Sequence, residues 1–260
     1  MGIKLTHSKI SNTNISLSEI GLGTVKFGRN TDIKYPKPFD LPSDNDLIKI
    51  LNTAAELGVN YLDTAVAYGV ANQRLGKLLP KVNKKFKIVA KIGEHYSSQN
   101  GSVYNFTRSS LKGDFEKLLE ELDLNFIECL LLHCNNNDCG DDIKDGLKYL
   151  KQLKQKGLIG AYGSSCKTKE GVMLALDYDS DLVMIEPNLF SETQKLFDNC
   201  SNPNVIIKKA FSSGNVLLNQ KVNPSEVLKN YLEEKSILSI VIGSINNSHL
   251  RQNIEPLQKK

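Results

Sequence analysis

VNYLDTAVAYG, residues 59–69, is the stretch whose reading decides the fold. Val59 to Leu62 is a short apolar run of strand character. Asp63 closes it, and Tyr68 follows five residues later, just before Gly69. Two later stretches repeat the plan: Phe86-Lys87-Ile88-Val89-Ala90 ends on Lys91, and Ile127-Glu128-Cys129-Leu130-Leu131-Leu132 ends on His133. Consecutive strands that each deliver an ionisable group at the carboxyl end point to a parallel α/β barrel, which assembles its active site there.

The same alternation runs outward in both directions. Strand-like runs centre on 20–24, 59–63, 86–91, 126–132, 158–163, 181–186, 204–208 and 237–242, with helices or helix-sized connections between them. Ser43 with Asp46 reads as a capping box ahead of Leu47, Ile48, Leu51, Ala54, Ala55 and Leu57 at helical spacing, and Gly58 is placed to stop that helix. Leu111, Phe115, Leu118, Leu119 and Leu122 mark a second helix. Ile143, Leu147, Leu150 and Leu153 mark a third, stopped by Gly157. Asn223-Pro224 supplies an N-cap followed by an N1 proline. A polar hairpin, Ile3 to Leu17 with its turn at 11–14, precedes the first buried run, and an irregular segment covers 26–41. Eight such units in 260 residues predict one α/β domain over 1–260, a (β/α)8 TIM barrel with a short N-terminal β-hairpin.

Composition narrows the function. A hydrophobic fraction of 40% and a charged fraction of 24% are ordinary for a globular protein. The net charge of +4 is dispersed, with no basic tail, which argues against a nucleic-acid partner. No run of about 18 apolar residues predicts a membrane span, and no leader-like apolar segment opens the chain. Five cysteines, an odd number, fit reduced thiols in a cytoplasm.

The four strand-end groups suggest a reaction. A free tyrosine, with a pKa of about 10, is a poor acid at neutral pH. A neighbouring lysine ammonium lowers that value, and a carboxylate holds the lysine charged and aimed. Asp63, Lys91 and Tyr68 are suited to those parts, with His133 orienting a substrate oxygen. On this reading Lys91→Met abolishes activity and spares the fold. None of the four supplies electrons, so reduction requires an external hydride donor. A rival zinc site at His133, Cys134, Asp138 and Cys139 lacks the spacing of common zinc modules.

GLGTVKFG (21–28), LGVNYLDTAVAYG (57–69), the strand ending in Lys91, LLLHC (130–134), QKGLIGAYGSS (155–165), the strand DLVMIEPNLF (181–190) and IGSINNSHLRQNIE (242–255) together resemble the aldo-keto reductases, in the family's order. The resemblance implies a barrel that binds NADP, with NAD as the alternative, and interconverts carbonyls and alcohols. It implies Tyr68 as general acid/base, tuned by Lys91 and Asp63, with His133 placing the carbonyl. It further implies a cofactor site of Gly23, Thr24, Ser165, Glu186, Ala210, Phe211, Ser212, Gly214, Gly243, Ser244, Gln252 and Asn253, and no metal.

The sequence also departs from the family pattern. Cys166 and Met184 stand where the family places an asparagine and a glutamine on the nicotinamide carboxamide, and Pro187 falls where many members carry a tyrosine. Glu186 is a candidate replacement acceptor. Gly243 and His249 occupy positions where Lys or Arg are common, which leaves NADP against NAD open. Lys208 and Lys209 open the segment expected to border the pyrophosphate, and Gly243-Ser244 is expected to begin a helix. Val25, the 26–41 segment and the 94–106 loop, with His95, Tyr96, Tyr104 and Phe106, are the expected substrate walls. No long C-terminal loop is expected over them. An open polar mouth suits a small carbonyl or alcohol substrate such as a sugar or another hydroxylated aldehyde. The alternative is a nucleotide-binding regulatory or structural barrel with little turnover. The sequence leaves the oligomeric state open.

Overall fold

The computed structural model describes residues 5–33, 35, 38–198, 200, 204–214 and 222–258. A hairpin of β1 (His7–Lys9) and β2 (Ser16–Ser18) comes first, followed by β3 (Ile20–Gly23), α1 (Val25–Gly28), α2 (Asp44–Glu56), β4 (Tyr61–Asp63), α3 (Ala71–Leu78) and β5 (Lys87–Ile92). A second hairpin, β6 (Glu94–Ser97) with β7 (Gly101–Tyr104), leads to α4 (Arg108–Leu122), β8 (Ile127–His133), α5 (Asp141–Gln155) and β9 (Ile159–Ser165). The chain continues through α6 (Lys169–Asp177), β10 (Leu182–Ile185), α7 (Pro187–Asp198), β11 (Val205–Lys208), α8 (Pro224–Leu232), β12 (Ile237–Ile242) and α9 (Asn247–Ile254). Strands β3, β4, β5, β8, β9, β10, β11 and β12 close into a parallel barrel, with β12 paired back onto β3. Ile3 and Lys4 of the expected first hairpin lie outside the described residues.

Strand alternation divides the apolar residues into two cores. Ile88, Ala90, Leu130, Leu132, Tyr162, Val183, Val205 and Ile207 face the helices. Val89, Cys129, Leu131, Ala161, Leu182, Met184 and Ile206 fill the barrel, which Ile10, Ile15 and Leu17 of the hairpin plug from below. Tyr61 occupies the middle of that interior. A Cβ on Gly21 would fall 2.0 Å from its ring, so glycine is required opposite it. The Tyr61 hydroxyl bonds Ser239 Oγ at 2.7 Å, and Ser239 donates to the Ser18 carbonyl at 2.7 Å. Those bonds lock the barrel floor to the plug.

The helix signals hold. Ser43 Oγ accepts from Asp46 N–H, and Gly58 and Gly157 adopt φ of +96° and +71° after their helices. Asn223 caps α8 with Pro224 next to it. Four expectations change. The strand expected over 181–190 is only Leu182–Ile185, because Pro187 starts α7 in place of continuing the strand. The helix after β12 begins at Asn247 with Asn246 as its cap, so Gly243 and Ser244 lie in the turn before it. Val25–Gly28, within the segment read as irregular, forms a short helix. The 94–106 loop contains the antiparallel hairpin β6–β7.

Candidate active site

Parity along the strands builds the site. Lys91 is two residues beyond inward Val89, His133 two beyond Leu131, Ser165 four beyond Ala161 and Lys208 two beyond Ile206, so all four face inward at the carboxyl end. Asp63 joins them two residues beyond inward Tyr61. It forms an ion pair with Lys91, and the two are 4% and 1% exposed. Asp63 is therefore the buried partner of Lys91.

Tyr68 enters from the loop after β4. Its N–H donates to the Ala65 carbonyl at 3.1 Å, and Gly69 turns the chain at φ +61°. A Cβ on Gly69 would meet the Gly28 carbonyl oxygen at 2.2 Å, and one on Gly28 would meet Ala71 N at 2.1 Å. The glycines that end the two quoted motifs thus let α1 press against the Tyr68 turn. The Tyr68 ring has Lys91 Nζ 5.1 Å from its centroid and stands edge-on to His133 at 6.1 Å. All four expected groups converge on one mouth.

The electrostatics differ from expectation at Tyr68. Burial first, then the carboxylates of Asp63 and Glu94, push its phenol well above the ordinary tyrosine value, although the residue as a whole is only partly buried. The ammonium expected to lower it is directed to Asp63 instead.

Glu94 is the principal residue that the sequence reading missed. Its Oε2 lies 2.8 Å from His133 Nδ1. The contact is short but off-line, because Nδ1 forms no aligned hydrogen bond. Ser102 Oγ donates to Glu94 Oε1 at 2.6 Å, and Arg29 stands 3.8 Å away. Burial alone would raise the Glu94 pKa, but His133, Ser102 and Arg29 together bring it down to about 2. His133 is pulled down to about 4 by burial, against Glu94 and with help from Lys91 and Lys208. Arg29 is itself anchored to the carbonyls of Thr31, Asp32 and Ala67, with its guanidinium 3.3 Å from the centre of the Tyr96 ring. Glu94 sits three residues past the Lys91 strand end, where its only sequence signal was a charge inside an expected loop.

The expected cofactor residues sort less uniformly. Gly23 flanks Asp63, with Oδ2 3.9 Å from where its Cβ would be. Thr24 donates both its N–H and its hydroxyl to the Asp63 carbonyl, at 2.9 and 3.0 Å, so it braces the end of β4. Ser165 Oγ accepts from Lys208 Nζ at 2.6 Å. Glu186 Oε1 accepts from Lys167 and Lys209, each at 2.8 Å, and these lysines overcome its burial to bring its pKa down to about 2. The candidate carboxamide acceptor is thus already engaged. Ala210, Phe211, Ser212 and Gly214 form the turn after β11, closed by Ser212 N–H to Lys209 O and Gly214 N–H to Phe211 O. Ser244 Oγ accepts from Asn246 N–H at 3.1 Å, while Gln252 and Asn253 lie on α9.

Cys166 Sγ donates to the Ser164 carbonyl at 3.7 Å and packs in the outer core, and Met184 is sealed in the barrel interior. Pro187, at the start of α7, belongs to a helix terminus. Of the expected walls, Tyr96 bonds Thr31 and Asp32, His95 Nε2 lies 3.4 Å from Asp114, and Tyr104 stacks on Phe106. A cleft of about 500 Å³ is lined by Tyr104 at the end of β7, Asn135, Asn136 and Asn137 after β8, and Lys167 after β9. Tyr35 reaches over from the 26–41 segment, its hydroxyl 3.2 Å from where a Gly243 Cβ would be. Asp138 accepts from the N–H groups of Lys167 and Thr168, which makes it a loop anchor.

A closed parallel barrel with a tyrosine, a lysine–aspartate pair and a histidine at its carboxyl mouth defines the class: a (β/α)8 barrel with its ionisable groups gathered where such barrels build their sites. Comparison with known proteins then gives the family. Residues 19–237 match the Aldo/keto reductase family, and the chain belongs to it. It is 32% identical to PA4992 of Pseudomona aeruginosa, a protein assigned to the aldo-keto reductases, covering 97% of this chain and 94% of that one with a TM-score of 0.81. It is 27% identical to the uncharacterized oxidoreductase YqkF of Bacillus subtilis (strain 168), over 60% of this chain and 47% of that protein. It is 23% identical to the L-galactose dehydrogenase of Arabidopsis thaliana, over 59% and 46%. The chain spans about half the length of these curated relatives.

Proposed function

We propose that this protein is a nicotinamide-dependent oxidoreductase that interconverts an aldehyde or ketone and its alcohol, with a sugar or other hydroxylated carbonyl as the substrate class. The observation that carries the reading is the convergence of Asp63, Lys91, Tyr68 and His133 at one end of the barrel. The residues around that mouth suit a nicotinamide nucleotide. Ser165 and Lys208 offer donors beside the expected ring, and Ala210 to Gly214 and Gly243-Ser244 offer backbone turns for phosphates. A bound nucleotide, NADP or NAD, supplies the hydride acceptor or donor. Family membership and the oxidoreductase relatives support this chemistry. The Asn-lined cleft and the sugar-dehydrogenase relative support the substrate class.

Tyr68 gives a proton to the carbonyl oxygen in reduction and takes it back in oxidation. With its phenol pushed up, it rests protonated, ready to act as the acid. Lys91, paired with Asp63 and with its Nζ 5.1 Å from the Tyr68 ring centre, is the cation placed to offset the phenolate left behind once its ammonium turns from Asp63 toward that oxygen. His133 positions the oxygen, and Glu94 in turn positions His133. Such acid catalysis is worth ~10² to 10⁴-fold.

Tyr68→Phe, assayed with an aldehyde panel and either nucleotide, should lose turnover by about that factor while retaining its far-UV spectrum. Near-normal turnover would overturn the role given to Tyr68. The raised phenol and the redirected ammonium favour a second reading, a nucleotide-binding barrel with little turnover. Tight nucleotide binding with no turnover across the panel would select it.

A further inference from the structure

Lys208 is the last inward residue of β11, and its side chain crosses the mouth of the barrel. Its Nζ donates to Ser165 Oγ on β9 at 2.6 Å, so the side chain passes over β10, the strand between them. Lys208 is 9% exposed and Ser165 is fully buried. Among the described residues no carboxylate forms an ion pair with this ammonium, since Glu186 pairs with Lys167 and Lys209 instead. A buried cation without a counter-charge is unfavourable, and burial with the nearby Lys167 and Lys209 brings the Lys208 pKa down to about 7, so the amine and ammonium forms are both populated at neutral pH. An ammonium has three donors, and the bond to Ser165 uses one. The strand it crosses carries Met184, buried among the inward-facing residues, and Cys166 beside it packs among the helices. Neither of these side chains can donate as an amide does; Lys208 can.

We propose that Lys208, together with Ser165, is the carboxamide grip of this protein. The ammonium donates to the carboxamide oxygen of a bound nicotinamide. Ser165 Oγ, already accepting from Lys208, keeps its own proton free for the ligand. This rests on the nicotinamide-dependent reading above. A cation in that place also discriminates between redox states. The oxidised ring is positively charged and the reduced ring is neutral, so Lys208 disfavours the oxidised nucleotide. Two unit charges several ångströms apart in such a setting alter relative affinity by about tenfold or more. Lys208 thereby biases the resting protein toward the reduced nucleotide, the form needed to reduce a carbonyl.

The test is equilibrium binding, free of turnover. The protein is titrated at pH 6, where Lys208 is mostly ammonium, with NADPH, NADP, NADH and NAD, followed by ligand fluorescence or calorimetry, as wild type, Lys208→Met and Lys208→Arg. Wild type should hold the reduced form of its preferred nucleotide more tightly than the oxidised form. Lys208→Met should weaken the reduced form several-fold and shrink the reduced-to-oxidised ratio by about tenfold, while Lys208→Arg keeps the ratio. Thermal unfolding of Lys208→Met provides the control. Removing an unpaired buried cation should leave the midpoint unchanged or higher, whereas a purely structural lysine would lower it. If wild type binds normally and Lys208→Met keeps both affinities and their ratio, this proposal fails while the functional reading stands. If wild type binds none of the four nucleotides, the functional reading itself fails and the proposal fails with it.

Discussion

The Asp63–Lys91 pair shows how one contact alters the meaning of a mutation. From sequence alone, Lys91→Met looked like a clean catalytic lesion with an intact fold. In the structure it strands a carboxylate that is 4% exposed. Removing one partner of such a pair costs about 3–5 kcal/mol. Urea unfolding of Lys91→Met should show that loss, and the double variant Asp63→Asn/Lys91→Met should recover most of it while turnover stays absent. A double variant no more stable than the single would mean that the pair does not form in solution. Residue types at strand ends were legible because chemistry-bearing side chains after apolar runs stand out. Glu94 was not, since a glutamate in a loop looks like solvated charge, and Lys208 stood out only as a charge beside the expected pyrophosphate. What singles them out is three-dimensional: His133 Nδ1 at 2.8 Å in one case, and a reach across β10 to Ser165 in the other.

At the scale of elements, strands and caps were readable because their signals are local, while their ends were less so. The run at 181–190 looked like one long strand because a proline after an apolar stretch fits either an ending strand or a beginning helix, and only packing distinguishes them. Ser43→Ala should cost about 1 kcal/mol by removing the cap of α2 and leave turnover unchanged. Gly69→Ala should behave differently. It combines φ +61° with a Cβ 2.2 Å from the Gly28 oxygen, so α1 and the Tyr68 turn must separate. A loss of roughly 1–3 kcal/mol in chemical denaturation, together with reduced turnover, is expected. Wild-type stability in that variant would mean that the turn has room that the structure does not show.

For the molecule as a whole, the buried ionic groups predict sensitivity to acid. Glu94 and Glu186 have folded pKa values of about 2, below the ordinary glutamate range, so their stabilising contribution is complete above the unfolded value of about 4.3 and disappears as pH falls through 2. His133, held near 4 by burial, binds its proton more readily when unfolded, so stability begins to fall below about pH 6.5. All three act in the same direction. Unfolding free energy should decline steadily from pH 7 to pH 3, and Glu94→Gln should flatten the curve by on the order of 2–3 kcal/mol. A flat wild-type profile would show that these carboxylates and His133 titrate as they do in the unfolded chain. Barrel closure was legible at this scale from the count of repeating units, whereas the plug was not. The chain of bonds from Tyr61 through Ser239 to Ser18 joins positions distant in sequence that carry no shared motif.

The alternation that turns Lys91, His133, Ser165 and Lys208 inward also constrains how such a protein can diverge. Inserting or deleting a single residue within one of these strands would exchange the two faces, placing Leu132 in the mouth and His133 among the helices. Length changes are therefore tolerated only beyond the strand ends, in segments such as 26–41 and 94–106. Relatives of different length would thus vary in that outer collar, while the ring of inward strand-end groups keeps its spacing.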